Sequence, residues 1–265
     1  MNVFSPPFFR LSQGHLNLLQ SCPPQFQRIH LQQLSSPPEL GQLEAQRWGS
    51  QFHRLMQQRE LGLSIEDFIG EDREIYIAIQ ALLAVAPEIS NGNANQQREA
   101  EHCRTLYYQD YLFTVIYDLI IFENDRAMIF DWKTYLKPAK LEKLKRNWQT
   151  KLYLYVLAET SDYVPEDISL TYWFVQLPQT PQKVTFNYDS QQHRQNRKEL
   201  SELLERLKKW LADYEESGVD FPHIPDCVST CSYFQYLQQD RDKGESESDG
   251  VLTSLETIEE INPFI

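Results

Sequence analysis

Between Tyr111 and Phe122 nearly every residue is apolar or aromatic, the chain turns polar at Glu123, Asn124 and Asp125, and a second apolar run starts at Ala127. Ile, Val, Phe and Tyr fit a pleated, half-buried surface, so the pattern predicts strands over about 111–122 and 127–134 joined by a turn. Upstream, Leu43, Trp48, Phe52, Leu55 and Met56 recur at helical spacing and predict a helix over about 38–60. A further helix is expected over 71–85, a loop over 91–97, and a strand over 99–108 that feeds the hairpin. Downstream, Pro138 stands near the start of a helix over about 139–159, whose buried stripe is Leu141, Leu144, Trp148, Leu152, Tyr155 and Val156. Strands over 168–175 and 182–188 follow, with Pro178 and Pro181 in their connection, and then a charged amphipathic helix over 191–214. Residues 1–38 read as irregular apart from a short helix over 11–20 with Ser12 as its N-cap. The alternation predicts an α/β domain over 39–237, a mixed central β-sheet flanked by helices, with 1–38 as a leading segment and 238–265 as a tail.

Two acids break the hairpin's pattern. Asp118 interrupts the first strand, and Asp131 and Lys133 close the second. A carboxylate is costly to bury unless it is paired or bound to a metal. Strand alternation puts Asp131 and Lys133 on one face, and Asp118 can sit across the hairpin from them. Two carboxylates and an ammonium in this relation outline a metal-and-water site, although the same spacing is also met in plain surface salt bridges. On the flanking helices, His53 taken alone reads as a half-buried helix histidine, with a metal ligand as the alternative. Gln149 and Tyr153 lie four apart on one helix face, where a solvated Gln beside a core-edge Tyr is the ordinary alternative.

Composition narrows the function. The net charge of −13 argues against a generic nucleic-acid coat protein, whose footprint is basic. The charge is uneven, with seven bases against one acid from Lys133 to Lys151. No apolar run approaches the roughly 18 residues that span a bilayer, and the first residues lack a signal-peptide pattern, so a cytoplasmic protein is expected. Four cysteines do not suggest a disulfide framework.

Taken in order, the helix with Gly49 and His53, the strand with Asp118, the strand with Asp131-Trp132-Lys133 and the helix with Gln149 and Tyr153 resemble the PD-(D/E)XK nuclease superfamily. The resemblance is to its RecB-like branch, which includes AddB-type and CRISPR-adaptation nucleases. The opening stretch, in which Ser12 begins a helix ending at Cys22-Pro23, is similar to the same branch, and the likeness spans about 11–237. It implies a restriction-endonuclease-like core and a DNA nuclease dependent on Mg²⁺ or Mn²⁺, exonuclease-like or single-strand-preferring, acting in repair or recombination. By that resemblance Asp118 and Asp131 hold the cation, often joined by the carbonyl of Trp132. Lys133 orients or helps deprotonate the attacking water and stabilises transition-state charge. His53 is an extra ligand that biases the site toward softer metals such as Mn²⁺. Gln149 and Tyr153 brace the site and contact the DNA backbone. The chemistry agrees: a hard cation on oxygen ligands offsets the charge of a phosphodiester and lowers the pKa of bound water. The basic stretch after Lys133 offers the phosphate backbone a track, and nothing suggests base-edge readout. DNA is the expected partner, with a helicase or repair-complex subunit supplying any unwinding, and no membrane partner is expected.

The pattern departs from the branch in places. Val115 stands where the branch often has Gly, and the D-x-K acid is Asp rather than Glu. Iron–sulfur members hold a [4Fe–4S] cluster on one Cys after the first helix and three near the C-terminus. Cys22, Cys227 and Cys231 match three of these positions, but the spacing is C-x3-C and Tyr236 stands near where the last Cys would fall. A cluster takes four thiolates, so none is expected, and simple packing or a lost cluster is the reading of these three. Cys103 is expected to be a small buried hydrophobe within a strand. From Asp240 onward eight acids face two bases, which suggests a disordered tail. Its end, 259–265, is loosely similar to the acidic tail of single-strand-binding proteins, though a solubilising tail is the plainer reading. Two rivals stay open: a catalytically silent nuclease-fold subunit that binds DNA or scaffolds a complex, and a hydrolase of RNA. The joint presence of Asp118, Asp131 and Lys133 argues against the first, and the lack of aromatic stacking motifs against the second.

Overall fold

The apolar runs form one mixed sheet. In the computed structural model, which describes residues 9–34, 40–66, 73–90, 96–134, 140–176, 180–228 and 231, the chain divides into two units. The first is Met1–Ser12 with Pro38–Arg197, the second Gln13–Pro37 with Lys198–Ile265. The acidic tail, residues 91–95 of the loop expected over 91–97, Pro138, Pro178 and Tyr236 lie outside the described residues.

The first unit carries strands β1 (Phe9–Leu11), β2 (Gln97–Tyr108), β3 (Tyr111–Phe122), β4 (Ala127–Lys133), β5 (Ile168–Phe174) and β6 (Gln182–Asn187). The β3 span is the one expected from its composition. β1 is an addition, since its three residues are too few to show a period of two. β2 runs antiparallel along the whole of β3, from Gln97–Phe122 to Tyr108–Tyr111. The other edge of β3 is shared. β1 pairs in parallel with Tyr111, Leu112 and Phe113, and β4 pairs antiparallel from Phe122–Ala127 only as far as Leu119–Phe130. Beyond Phe130, β4 leaves β3 and continues against β5 in parallel, through Lys133–Phe174, with β6 antiparallel outside it.

Helices α1 (Gln13–Ser21) and α2 (Pro23–Phe26) precede α3 (Leu40–Glu60), α4 (Arg73–Val85) and α5 (Pro87–Ser90). The last three pack Phe52, Leu55, Met56, Ile75, Ile79, Leu82 and Ile89 against Leu119, Ile121, Phe130, Trp132 and Trp173 of the sheet. Each such side chain taken fully from water is worth about 1.5–3 kcal/mol. Because strand side chains alternate, Asp131 and Lys133 point away from the face that Phe130 and Trp132 give to this core. Arg98 of β2 joins the layers. Its guanidinium grips Glu60 at the end of α3 at 2.9 and 3.0 Å and donates to the carbonyls of Glu88 and Ile89.

The expected helix over 139–159 is two helices, α6 (Leu141–Arg146) and α7 (Trp148–Glu159). Asn147 between them is extended (φ −66°, ψ 137°), and its side chain accepts the Gln149 N–H at 2.7 Å. Asn competes for backbone donors and favours an N-cap over a helix interior. The helix therefore restarts there, which places Gln149 in the first turn of α7. Cys103 is exposed rather than buried, because β2 is an edge strand and its outward positions meet solvent.

In the second unit, α1 and α2 lead into a π-helical turn at Gln27–Leu31, and the later part of α8 (Ser190–Ser217) is followed by α9 (Pro225–Val228). Gln27, 2% exposed, donates to Asp220 Oδ1 and accepts from the Phe221 N–H, both at 2.6 Å. Phe26 stacks on Phe221, which also meets Trp210. A buried amide with its partners met is stable where an unpaired one would cost about 1–3 kcal/mol, so Gln27 ties the early segment to the late one.

Candidate functional site

The sheet forks where β4 leaves β3, and the charged residues collect at that fork. Asp118 follows the last β3–β4 pair, and its Oδ2 accepts the Trp132 N–H at 2.6 Å. Its Oδ1 lies 3.2 Å from His53 Nδ1, which α3 supplies. Glu101 of β2 stands 4.0 Å from the same nitrogen. The ligand atoms of His53, Glu101 and Asp118 all lie within 4.8 Å of one another.

Asp131 and Lys133 are 3% and 5% exposed, and Asp131 Oδ1 lies 2.9 Å from Lys133 Nζ. Gln149 spans the pair. Its Nε2 donates to Asp131 Oδ2 at 2.7 Å, and its Oε1 accepts from Lys133 Nζ at 2.6 Å. The Lys133 ammonium also sits 5.1 Å over the Tyr172 ring, a favourable cation–π distance. Tyr153, one turn on from Gln149, is buried. Its backbone carbonyl accepts the Tyr117 hydroxyl at 3.0 Å, and the two rings meet edge to face.

Crowded carboxylates set the electrostatics. Burial, then the charge of Asp118, pushes Glu101 up to about 7, with His53 opposing. Burial also pushes Asp131 up to about 7, and the neighbouring Lys133 offsets only part of that. Burial drives the Tyr153 phenol well above its usual range, so it acts as a neutral group. Three carboxylates in one low-dielectric place repel one another, a repulsion that protonation or a divalent cation would relieve.

The residues present fit such a cation. Asp131 Oδ1 is buried with no aligned hydrogen-bond donor, and the convergent carboxylate oxygens with one imidazole are the donor set of Mg²⁺ or Mn²⁺.

His53, Asp118, Asp131, Lys133, Gln149 and Tyr153, drawn from four elements of the first unit, meet at this fork. Tyr153 is 3% exposed there. Glu101 was not singled out from the sequence. It falls opposite Asp118, between the pairs Ala100–Leu119 and His102–Tyr117. Its φ is +50°, a left-handed conformation uncommon for a residue with a side chain. Strain of this kind costs about 1–3 kcal/mol and collects at functional sites. The available signal was one of two Glu residues, Glu99 and Glu101, in the strand before the hairpin, which has no spacing motif. Cys22, Cys227 and Cys231 also come together, in the second unit.

A family model for the PD-(D/E)XK nuclease superfamily matches residues 10–236. Among solved structures, the chain is similar to a protein from Eubacterium rectale described as "Putative exonuclease", with a TM-score of 0.50 and 11% identity over 94% of this chain and 91% of that one. It also aligns with SSO0001 at 12% identity and a TM-score of 0.34, over 80% of this chain and 88% of that one. At such identity the first likeness is one of fold. No curated protein matches the chain. Among the described residues no helix is long and apolar enough to cross a membrane.

Proposed function

The chain belongs to the PD-(D/E)XK nuclease superfamily, and from that premise we propose that it is a metal-dependent DNA nuclease of the RecB-like branch. It is exonuclease-like or single-strand-preferring and serves DNA repair or recombination. The observation that carries this reading is the meeting of Asp118, Asp131, Lys133 and Gln149 at the fork, with His53 and Glu101 beside them.

The ligands are Asp118, Asp131 and His53, with Glu101 added on its position. A bound Mg²⁺ or Mn²⁺ would supply charge neutralisation of the scissile phosphate and a lowered pKa for water. Lys133 is held by Gln149 and Asp131, which fixes its ammonium beside a carboxylate that would hold the cation. That positioning converts side-chain entropy into rate. Gln149 also fixes Asp131, so one amide aligns the acid and the base together. Tyr153 keeps the wall behind them dry and rigid. The basic residues Lys140, Lys143, Lys145 and Arg146 on and before α6 give a phosphate backbone something to follow.

The test is cleavage of end-labelled single- and double-stranded DNA by the full chain, with Mg²⁺, with Mn²⁺ and with EDTA. Metal-dependent cutting that Lys133→Ala loses supports the proposal. DNA binding without cutting under either metal would overturn it in favour of a silent nuclease-fold subunit, and cutting of RNA alone would overturn the DNA assignment.

A further inference from the structure

The second unit brings together three thiols that the nuclease chemistry does not use. Cys22 stands at the N-cap of α2, directly before Pro23 and Pro24. Cys227 lies in α9, and the Cys231 N–H returns to the Cys227 carbonyl at 2.8 Å, one turn on. All three are buried and form a cluster of their own, with Ile224 packed against it. Their sulfurs lie within 4.8 Å of one another, and those of Cys22 and Cys227 are 2.7 Å apart. No disulfide joins them. Beside them is an imidazole: His223 Nδ1 is 3.4 Å from Cys227 Sγ.

We propose that Cys22, His223, Cys227 and Cys231 form a mononuclear Zn²⁺ site that joins the early and late segments of the second unit. Three sulfurs and one nitrogen are a closed tetrahedral donor set of the structural zinc kind. Bonds of about 2.3 Å at a tetrahedral angle set the sulfurs about 3.8 Å apart. The observed spacing needs only a small opening of the Cys22–Cys227 contact to reach that. An iron–sulfur cube spreads its thiolates over a larger body and takes four of them, whereas the described residues bring three thiols and a histidine.

The local structure suits the role. Pro23 and Pro24 fix the backbone just after Cys22, and the bond from the Cys231 N–H to the Cys227 carbonyl keeps those two cysteines together. His223 precedes α9 by two residues and reaches Cys227 Sγ, and a turn of its ring toward Cys22 and Cys231 would close the set. Burial pushes the Cys22 and Cys227 thiols up, so metal binding must displace their protons and is favoured by rising pH. A metal bound only by the folded form adds stability by mass action. The proposal does not depend on the nuclease reading.

Co²⁺ titration of the full chain, reduced and freed of metal, tests it. The expected result is one Co²⁺ per chain with a thiolate-to-cobalt charge-transfer band and tetrahedral d–d bands, bleached by one equivalent of Zn²⁺. The charge-transfer band separates this site from the oxygen-rich fork, which has no thiolate. Cys231→Ser is expected to weaken that band, because two thiolates remain, and to weaken Co²⁺ binding with it. His223→Gln is expected to keep it, with shifted d–d bands and weaker binding. The wild-type titration stands by itself if Cys231→Ser fails to fold, which circular dichroism reads. Absence of a thiolate band at any Co²⁺ concentration overturns the proposal. So does iron with acid-labile sulfide in the protein as isolated, or a Cys22–Cys227 disulfide whose reduction restores no metal uptake. An unchanged spectrum in His223→Gln overturns the fourth ligand.

Discussion

Glu101 faces Asp118 across the β2–β3 ladder, held there with φ at +50° between two regular pairs. Two acids set opposite each other are destabilising without a cation, so this placement predicts a shared metal. Glu101→Gln should weaken Mn²⁺ binding by about tenfold or more, a loss of the order seen when a site's supporting partner is removed. Isothermal titration of the full chain reads this without reference to activity. Unchanged affinity would remove Glu101 from the donor set.

Lys133 and Asp131 are a buried pair, and breaking such a pair leaves an uncompensated charge that costs about 3–5 kcal/mol. Lys133→Met should therefore lower stability as well as reduce cleavage, by a factor on the order of 10²–10⁴. The pH dependence has a definite sign. Asp131 already titrates above its unfolded value, and losing Lys133 raises it further. A carboxyl raised in the folded state contributes its stability at low pH and loses it as pH rises through the folded value. In EDTA, urea unfolding of Lys133→Met should thus show a larger deficit at pH 8 than at pH 6. An equal deficit at both would mean that Asp131 stays ionised.

Arg98 binds Glu60 and two carbonyls at once. Arg98→Met removes this join, but Glu60 keeps Arg59 at 2.6 Å. The cost should be about 1.5–3 kcal/mol, as for hydrogen bonds to a charged group, rather than that of an orphaned carboxylate. Thermal or urea unfolding measures it. Mn²⁺ affinity should fall less than in Glu101→Gln, and a larger fall would make Arg98 a direct organiser of the metal ligands.

His30 stacks edge to face on His15 at 4.3 Å between ring centres, and burial, then the charge of His15, pulls it down to about 4. A histidine lowered in the folded state is neutral there but protonates when unfolded. Its contribution is present above the unfolded value near 6.5 and is lost as pH falls toward 4. His30→Gln should flatten the stability loss between pH 6.5 and 4.5 in urea titrations. A wild-type curve with no slope there, or a variant with the same slope, would show that the imidazole is not held neutral.

Local pattern determined much of this protein. The run of Ile, Val, Phe and Tyr specified β3, because side chains that alternate between a buried and a half-buried face leave few other solutions. The two-residue spacing of Asp131 and Lys133 put them on one side for the same reason, and the helical spacing of Gln149 and Tyr153 followed from 3.6 residues per turn. Those are short-range constraints, and a single sequence carries them. Tertiary structure decided the rest. The fork that exposes Asp118 exists because β1 and β4 divide one edge of β3, which no local signal announces. Glu101 became part of the site through strand register, and one residue of slip would have turned it away. Asn147 broke a helix that its neighbours' periodicity ran straight through. Cys22 meets Cys227 across 205 positions of chain, a closeness set by the packing of Phe26 and Gln27 against Phe221 rather than by spacing. Periodicity is a property of neighbours along the chain, whereas a binding site depends on distances that folding alone makes short.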